Sequence, residues 1–180
     1  MANPNITLTA YMNNLNDVCR PNRFFVQILD NGNNPIWPLQ FSFYVKTFVI
    51  PDKNIGELTI NYQGLQNKIS GDGTFSDVSM TLHVDTDMAI KQFITDWMNG
   101  ILNTDTVDDN NVRQAPDEYR TDIQVQQLDR VGDVVKTFLL HQAWPKTASS
   151  IEVSHDSTDT PEDFTVDFCI NSWELVDAGA

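Results

Sequence analysis

From Arg23 onward, apolar residues return at every second position in run after run, with turn-forming clusters between the runs. Phe24, Val26 and Ile28 alternate with Phe25, Gln27 and Leu29, which predicts a strand with both faces at least partly buried. Asp30-Asn31-Gly32-Asn33-Asn34-Pro35 is dense turn chemistry and closes that strand with a loop. Phe41 to Ile50 predicts a long strand, stopped by Pro51 and Asp52. From Glu57 to Gln63 the alternation is clean. Leu58, Ile60 and Tyr62 face one way, while Glu57, Thr59, Asn61 and Gln63 face the other; Gly64 then permits a turn. Gly71-Asp72-Gly73 breaks the pattern ahead of Phe75 to Val84, where Val78, Met80, Leu82 and Val84 alternate with Ser79, Thr81 and His83. Further strands are expected at Tyr119 to Leu128 and Val134 to Ala143, with the turn at Asp129 to Asp133 between them. A last strand covers Phe164 to Leu175, with its parity reset by a bulge near Asn171-Ser172.

One segment has the other period. Ile90, Phe93, Ile94, Trp97, Met98 and Ile101 form a single apolar stripe, predicting a helix over about residues 87–101. Thr86 or Asp87 is the expected N-cap, and Gly100 lies near the stop. Residues 1–19 read as a polar N-terminal arm, and the stretch 103–118 as a long polar loop. The remainder, 20–180, reads as a single mainly β domain. The predicted fold is an antiparallel β-sandwich or small barrel with one flanking α-helix.

Charge adds a second constraint. Eleven basic and twenty-five acidic residues give −14. The excess is uneven: residues 1–56 hold four basic and three acidic side chains, a net of +1, while residues 57–180 hold seven and twenty-two, a net of −15. A conventional nucleic-acid binder needs clustered Lys and Arg against phosphate, and this chain has the opposite balance. No apolar stretch reaches the length of a membrane span, so no membrane insertion is expected. The opening Met1-Ala2-Asn3-Pro4-Asn5 carries neither the basic start nor the apolar run of a secretion signal, so synthesis in the cytoplasm is expected.

Catalytic motifs are missing from the sequence. It contains no G-x-S-x-G elbow, H-E-x-x-H, phosphate-binding P-loop or C-x-x-C pair. Cys19 and Cys169 read as unpaired small hydrophobes. His83 and His141 fall inside predicted strands and His155 in a polar loop, which suits structural histidines better than metal ligands. Asp105, Asp108 and Asp109, and Asp156 with Asp159, are hard oxygen donors without the frame of a calcium loop. Trp37, Trp97, Trp144 and Trp173 suit core or interface duty better than a sugar cleft. No catalytic residue, cofactor or metal is therefore expected. A calcium- or carbohydrate-binding β-sandwich is the alternative of another class.

Four short patterns, in order along the chain, resemble the tail tube family of contractile-tailed bacteriophages. They are Arg20-Pro21-Asn22-Arg23-Phe24, Gly71-Asp72-Gly73-Thr74-Phe75-Ser76-Asp77, Ala143-Trp144-Pro145 and Asn171-Ser172-Trp173-Glu174. The resemblance implies a structural virion protein whose hexameric rings stack into the conduit for DNA ejection, with strands of neighbouring copies joined in one inner barrel. It implies as partners the tail sheath, baseplate and tape-measure proteins, passage of DNA without tight binding, and assembly in the host cytoplasm. A tube initiator of the baseplate, or the tube component of a type VI secretion system, is the alternative within the same fold. Arg20, Pro21, Asn22, Phe24, Gly71, Asp72, Gly73, Phe75, Asp77, Trp144, Pro145, Trp173 and Glu174 are the assembly-interface candidates by that resemblance. Thr59, Asn61 and Gln63 are candidates for the lumen, and an acidic lumen that repels DNA is the expected use of the charge.

Overall fold

The computed structural model describes residues 20–102, 114–154, 156 and 160–177. The arm 1–19 with Cys19, residues 103–113 with Asp105, Asp108 and Asp109, and also His155 and Asp159 lie outside the described residues. The strands are β1 (Phe24–Leu29), β2 (Val45–Phe48), β3 (Lys53–Tyr62), β4 (Leu65–Phe75), β5 (Val78–His83), β6 (Thr121–Leu128), β7 (Val134–Ala148), β8 (Asp163–Cys169) and β9 (Ser172–Asp177). Helix α1 (Ala89–Ile101) stands between β5 and β6. Seven strands form one antiparallel sheet in the order β1-β6-β7-β8-β5-β2, with β9 also on β7, while β3 and β4 pair only with each other.

Strand β7 folds this sheet into two layers. Its first part pairs with β6 and β9, and its last residues, Trp144 to Ala148, pair with β8 instead. The bend between them is a bulge: Ile123 faces Leu140 while Thr121 faces Ala143. Gln142 at the bulge takes φ 56°, a left-handed conformation costing a non-glycine residue on the order of 1 kcal/mol. The Asp122 carboxylate offsets that strain by accepting the Gln142 N–H at 2.9 Å and bonding His141 Nδ1 at 3.1 Å.

Apolar side chains from both layers make one core, with Val26, Ile28, Ile123, Val125 and Leu140 from the first and Val78, Met80, Leu82, Phe164, Val166 and Phe168 from the second. Helix α1 closes the core by burying Ile90 and Ile94. Its Phe93 and Trp97 enter a run of near-perpendicular and tilted ring contacts from Phe41 through Trp37 to Phe168, with centroids 5.4–6.4 Å apart.

Several local expectations are corrected. Leu39–Tyr44 is a 3₁₀ helix and only Val45–Phe48 is strand, because Trp37 and Phe41 turn into the core and Ser42 Oγ donates to the Val26 carbonyl at 2.5 Å. Helix α1 has no Thr86 or Asp87 cap. Met88 stands at its start with φ 53°, after a turn in which its N–H bonds Asp85. Pro116–Tyr119 is a helical turn, so β6 begins only at Thr121. Gly71-Asp72-Gly73 lies inside β4, and Asn171 separates two strands.

The β6–β7 turn hangs on one carboxylate. Asp129 Oδ1 accepts the N–H groups of Val131, Gly132 and Asp133 at 2.7–2.9 Å, and Arg23 Nη1 donates to the Asp129 carbonyl at 3.0 Å. Those N–H groups, Asp133's foremost, hold the Asp129 carboxyl below its ordinary 3.8. A depressed folded-state pKa gives stability that is present above the ordinary value and lost as pH falls through the folded one. The wild type should therefore melt above Asp129→Asn at pH 6, and the gap should shrink to nothing as a thermal-melt series is taken below pH 3.

Candidate assembly surface

The layer β7–β8–β5–β2 ends in two strand edges with no partner among the described residues: one side of β2, and the stretch of β7 beyond Ala143. Consecutive strands in this layer run antiparallel, and four is an even number. The open edge of β2 is therefore antiparallel to the open edge of β7 in a second copy placed beside it.

The outward face of the same layer is a polar ladder. Ser79, Thr81 and His83 stand opposite Asp167, Thr165 and Asp163. Ser79 Oγ donates to Asp167 at 2.5 Å, the two threonine hydroxyls lie 3.2 Å apart, and His83 Nδ1 bonds Asp163. Lys46 of β2 reaches across β5 to Asp163 at 2.5 Å, and Lys146 of β7 reaches across β8 to Asp77 at 2.6 Å. The Lys46 ammonium holds the Asp163 carboxyl below its usual range, and the Asp77 carboxylate raises Lys146. Cys169 ends the ladder as a half-buried free thiol, pushed up chiefly by burial. Every ladder residue on β5 and β8 keeps partial exposure, while the alternating apolar positions are fully buried beneath.

A second surface projects from the body. Strands β3 and β4 are exposed along their whole length except at Thr59 and Phe75. Cross-strand pairing of Leu58 with Ile69, Ile60 with Asn67 and Tyr62 with Leu65 gathers the apolar side chains on one face. Leu58 is 54% exposed, Tyr62 72% and Leu65 78%, so Leu58, Ile60 and Tyr62 stand outside the core that the described residues form. The opposite face carries Thr59 and Asn61 and a Glu57–Lys68 ion pair at 2.9 Å. Gln63 and Gly64, with φ 48° and 80°, make the tip a tight hairpin turn. Gly56 and Gly71 meet at the hairpin's bulge, where a Cβ on either would stand 3.2 Å from the other strand's backbone.

The motif residues fall in separate places. Pro21 and Phe24 line a groove with Lys46, Phe48 and Ile50 beside the open edge of β2. Arg20 gives its carbonyl to Gln127, a fold contact. Asp77, Trp144 and Pro145 lie at the open end of β7. Gly71, Asp72 and Gly73 belong to the hairpin bulge. Trp173 and Glu174 sit on the other layer, against Phe138 and His141. Sequence reasoning missed Lys46, Lys146 and Asp163; two cations isolated in apolar runs were the signal.

A sequence profile describing phage tail tube proteins matches residues 4–176. The chain belongs to the phage tail tube protein family. The tail tube protein gp19 of Enterobacteria phage T4 is 25% identical over 160 residues, covering 88% of this chain and 92% of that one. The tail tube protein of Serratia phage KSP90 is 26% identical over 117 residues, 65% of this chain and 64% of its own. Among solved structures, the fold is shared with a chain of an extracellular contractile injection system's sheath-tube complex, at TM-score 0.58 and 17% identity over 95% of this chain and 99% of that one. It is shared also with a chain of the tube-terminating cap of the anti-feeding prophage, at TM-score 0.68 and 15% identity over 91% and 94%. This tail tube protein is thus a structural component of a phage tail.

Proposed function

We propose that six copies close into a ring through the open edges of β2 and β7, that rings stack into a tube, and that DNA passes through its bore. The observation that carries this reading is the four-stranded layer itself, with two complementary open edges, one polar face and one covered face. A ring has more room outside than inside, so the helix and the β1–β6–β9 layer go outward and the polar ladder lines the bore. Closure also removes the sheet edges that would otherwise recruit other chains. Six-fold order is supported by the anti-feeding prophage baseplate, a six-fold symmetrised assembly containing a chain of this fold. About 24 strands spaced ~4.8 Å apart and tilted ~40° give a backbone radius of about 24 Å. Side chains then leave duplex DNA a clearance of about 10 Å, on the order of one Debye length, so the charge of the wall is felt.

The hairpin's apolar face docks on a neighbouring copy, leaving Thr59 and Asn61 on its wet side. The lumen assignment moves from Thr59, Asn61 and Gln63 to the ladder. Sheath, baseplate and tape-measure proteins are the partners proposed for the outer surface and tube ends, with assembly in the host cytoplasm and no chemistry catalysed. Electron microscopy of the purified full chain tests this: hollow filaments of uniform width are expected, and dispersed monomers at high concentration would defeat it. A second reading, a single ring that starts or ends a tube, is favoured by the likeness to cap and baseplate chains; particles that stop at one ring would select it.

A further inference from the structure

We propose that Asp163 and Asp77 cage Lys46 and Lys146, so that neither lysine of the bore's wall is free to a passing phosphate. The inference rests on the tube reading above. Lys46 and Lys146 are the lysines that the ladder holds among the described residues, and each is paired at 2.5–2.6 Å to a carboxylate lying two strands away. Exposed pairs of this kind add little to stability, so holding the fold together is a poor explanation for them. Their geometry does something else. The two pairs cross-brace the sheet in opposite senses, Lys46 over β5 and Lys146 over β8, and each brace is neutral.

The third carboxylate of the ladder, Asp167, accepts from Ser79, lies within electrostatic reach of Lys146 and forms no ion pair of its own among the described residues. Two lysines against Asp77, Asp163 and Asp167 give these five groups a formal −1, so most of the chain's −14 lies elsewhere. The wall is therefore a surface of paired charges with a slight excess of the sign that DNA carries. Lysines freed from their partners, two per protomer and twelve per six-membered ring, would bind phosphate, with log K falling by about 0.9 per tenfold rise in salt for each phosphate neutralised.

The test uses tubes of the full chain with Asp77→Asn and Asp163→Asn together. Tubes are incubated with fluorescent linear duplex DNA, pelleted, and assayed for retained DNA across a salt series; covalently closed minicircles, too wide to thread, report binding outside the bore. The double variant should retain at least about ten times more linear duplex than wild type near 0.1 M salt, with a log–log salt slope of about −4 or steeper. Minicircle retention should not change. Adding Lys46→Gln and Lys146→Gln should return retention to the wild-type level. Assembled double-variant tubes that retain no more than wild type overturn the caging while leaving the tube reading intact; wild-type chains that make no tube sink that reading itself. Should the double variant not assemble, the charge-preserving quadruple variant Asp77→Asn, Asp163→Asn, Lys46→Gln and Lys146→Gln decides alone. Caged lysines predict retention unchanged from wild type, and a drop in retention shows that they were open to phosphate.

Discussion

Replacing Ala148 with proline should leave the protomer folded and end tube growth. Ser149 donates its N–H to the Thr165 carbonyl at 2.8 Å, across to β8. Antiparallel ladders alternate, so the N–H of Ala148, paired opposite Val166, points the other way, to the open edge of β7. Proline there removes a donor that the protomer does not use, and such a site on an edge strand tolerates it. In the proposed ring the same position meets β2 of the next copy. The seam loses a ladder bond and must accommodate a ring, together about 3 kcal/mol. Each seam repeats the loss, and every 1.4 kcal/mol is tenfold, so closure with six seams is suppressed by many orders of magnitude. Sedimentation velocity should show monomers with wild-type circular dichroism. Filaments forming at the wild-type concentration would show that β7 is not the seam.

Much of the fold was legible because its signals are local. The two-residue period of Val78 to His83 and of Phe164 to Ile170 reads directly as strands with one buried face, and both are found so. The stripe of α1 reads as directly, since Ile90 and Ile94 fall one turn apart on it and are fully buried. What was not legible depends on residues distant in sequence. The helical turn at Leu39–Tyr44 follows from Trp37 meeting Phe93, more than fifty positions on. The bend in β7 follows from Asp122, which holds Gln142 in a conformation that no property of Gln142 predicts.

The surface shows the same division. Alternation in β3 announced two faces but not which of them packs, and among the described residues Leu58, Ile60 and Tyr62 stay exposed. The ladder needed strand register before Lys46 and Asp163 were seen to meet, 117 positions apart. Of the motifs, Arg20 to Phe24 shows a role in the fold: Arg23 secures the β6–β7 turn, while Pro21 and Phe24 line the groove with Lys46 and Phe48 of β2.

The hairpin sets the second large effect. Leu58→Asp with Ile60→Asp should raise the concentration needed for polymerisation at least about 100-fold, while the melting temperature of the monomer moves by no more than about 2 °C. The two halves of that expectation have separate causes. Both side chains are about half exposed and lie outside the core cluster of the described residues, so the folded core does not register their loss. A two-stranded hairpin is marginal in water by itself, and five apolar side chains, Leu58, Ile60, Tyr62, Leu65 and Ile69, on an exposed hairpin of this length signal a covered face in the assembly. Completing the burial of each contributes on the order of 1 kcal/mol, and two aspartates replace attraction with the cost of stripping water from charge. A loss of about 3 kcal/mol per subunit is the stated 100-fold. The same two charges on the opposite face, at Thr59 and Asn61, should cost less than about tenfold, because that side stays wet. Light-scattering titration of polymerisation measures all three chains. Equal effects from the two faces would mean that the hairpin is sandwiched on both sides, and no effect from Leu58 and Ile60 would mean that this face stays in water in the assembled tube.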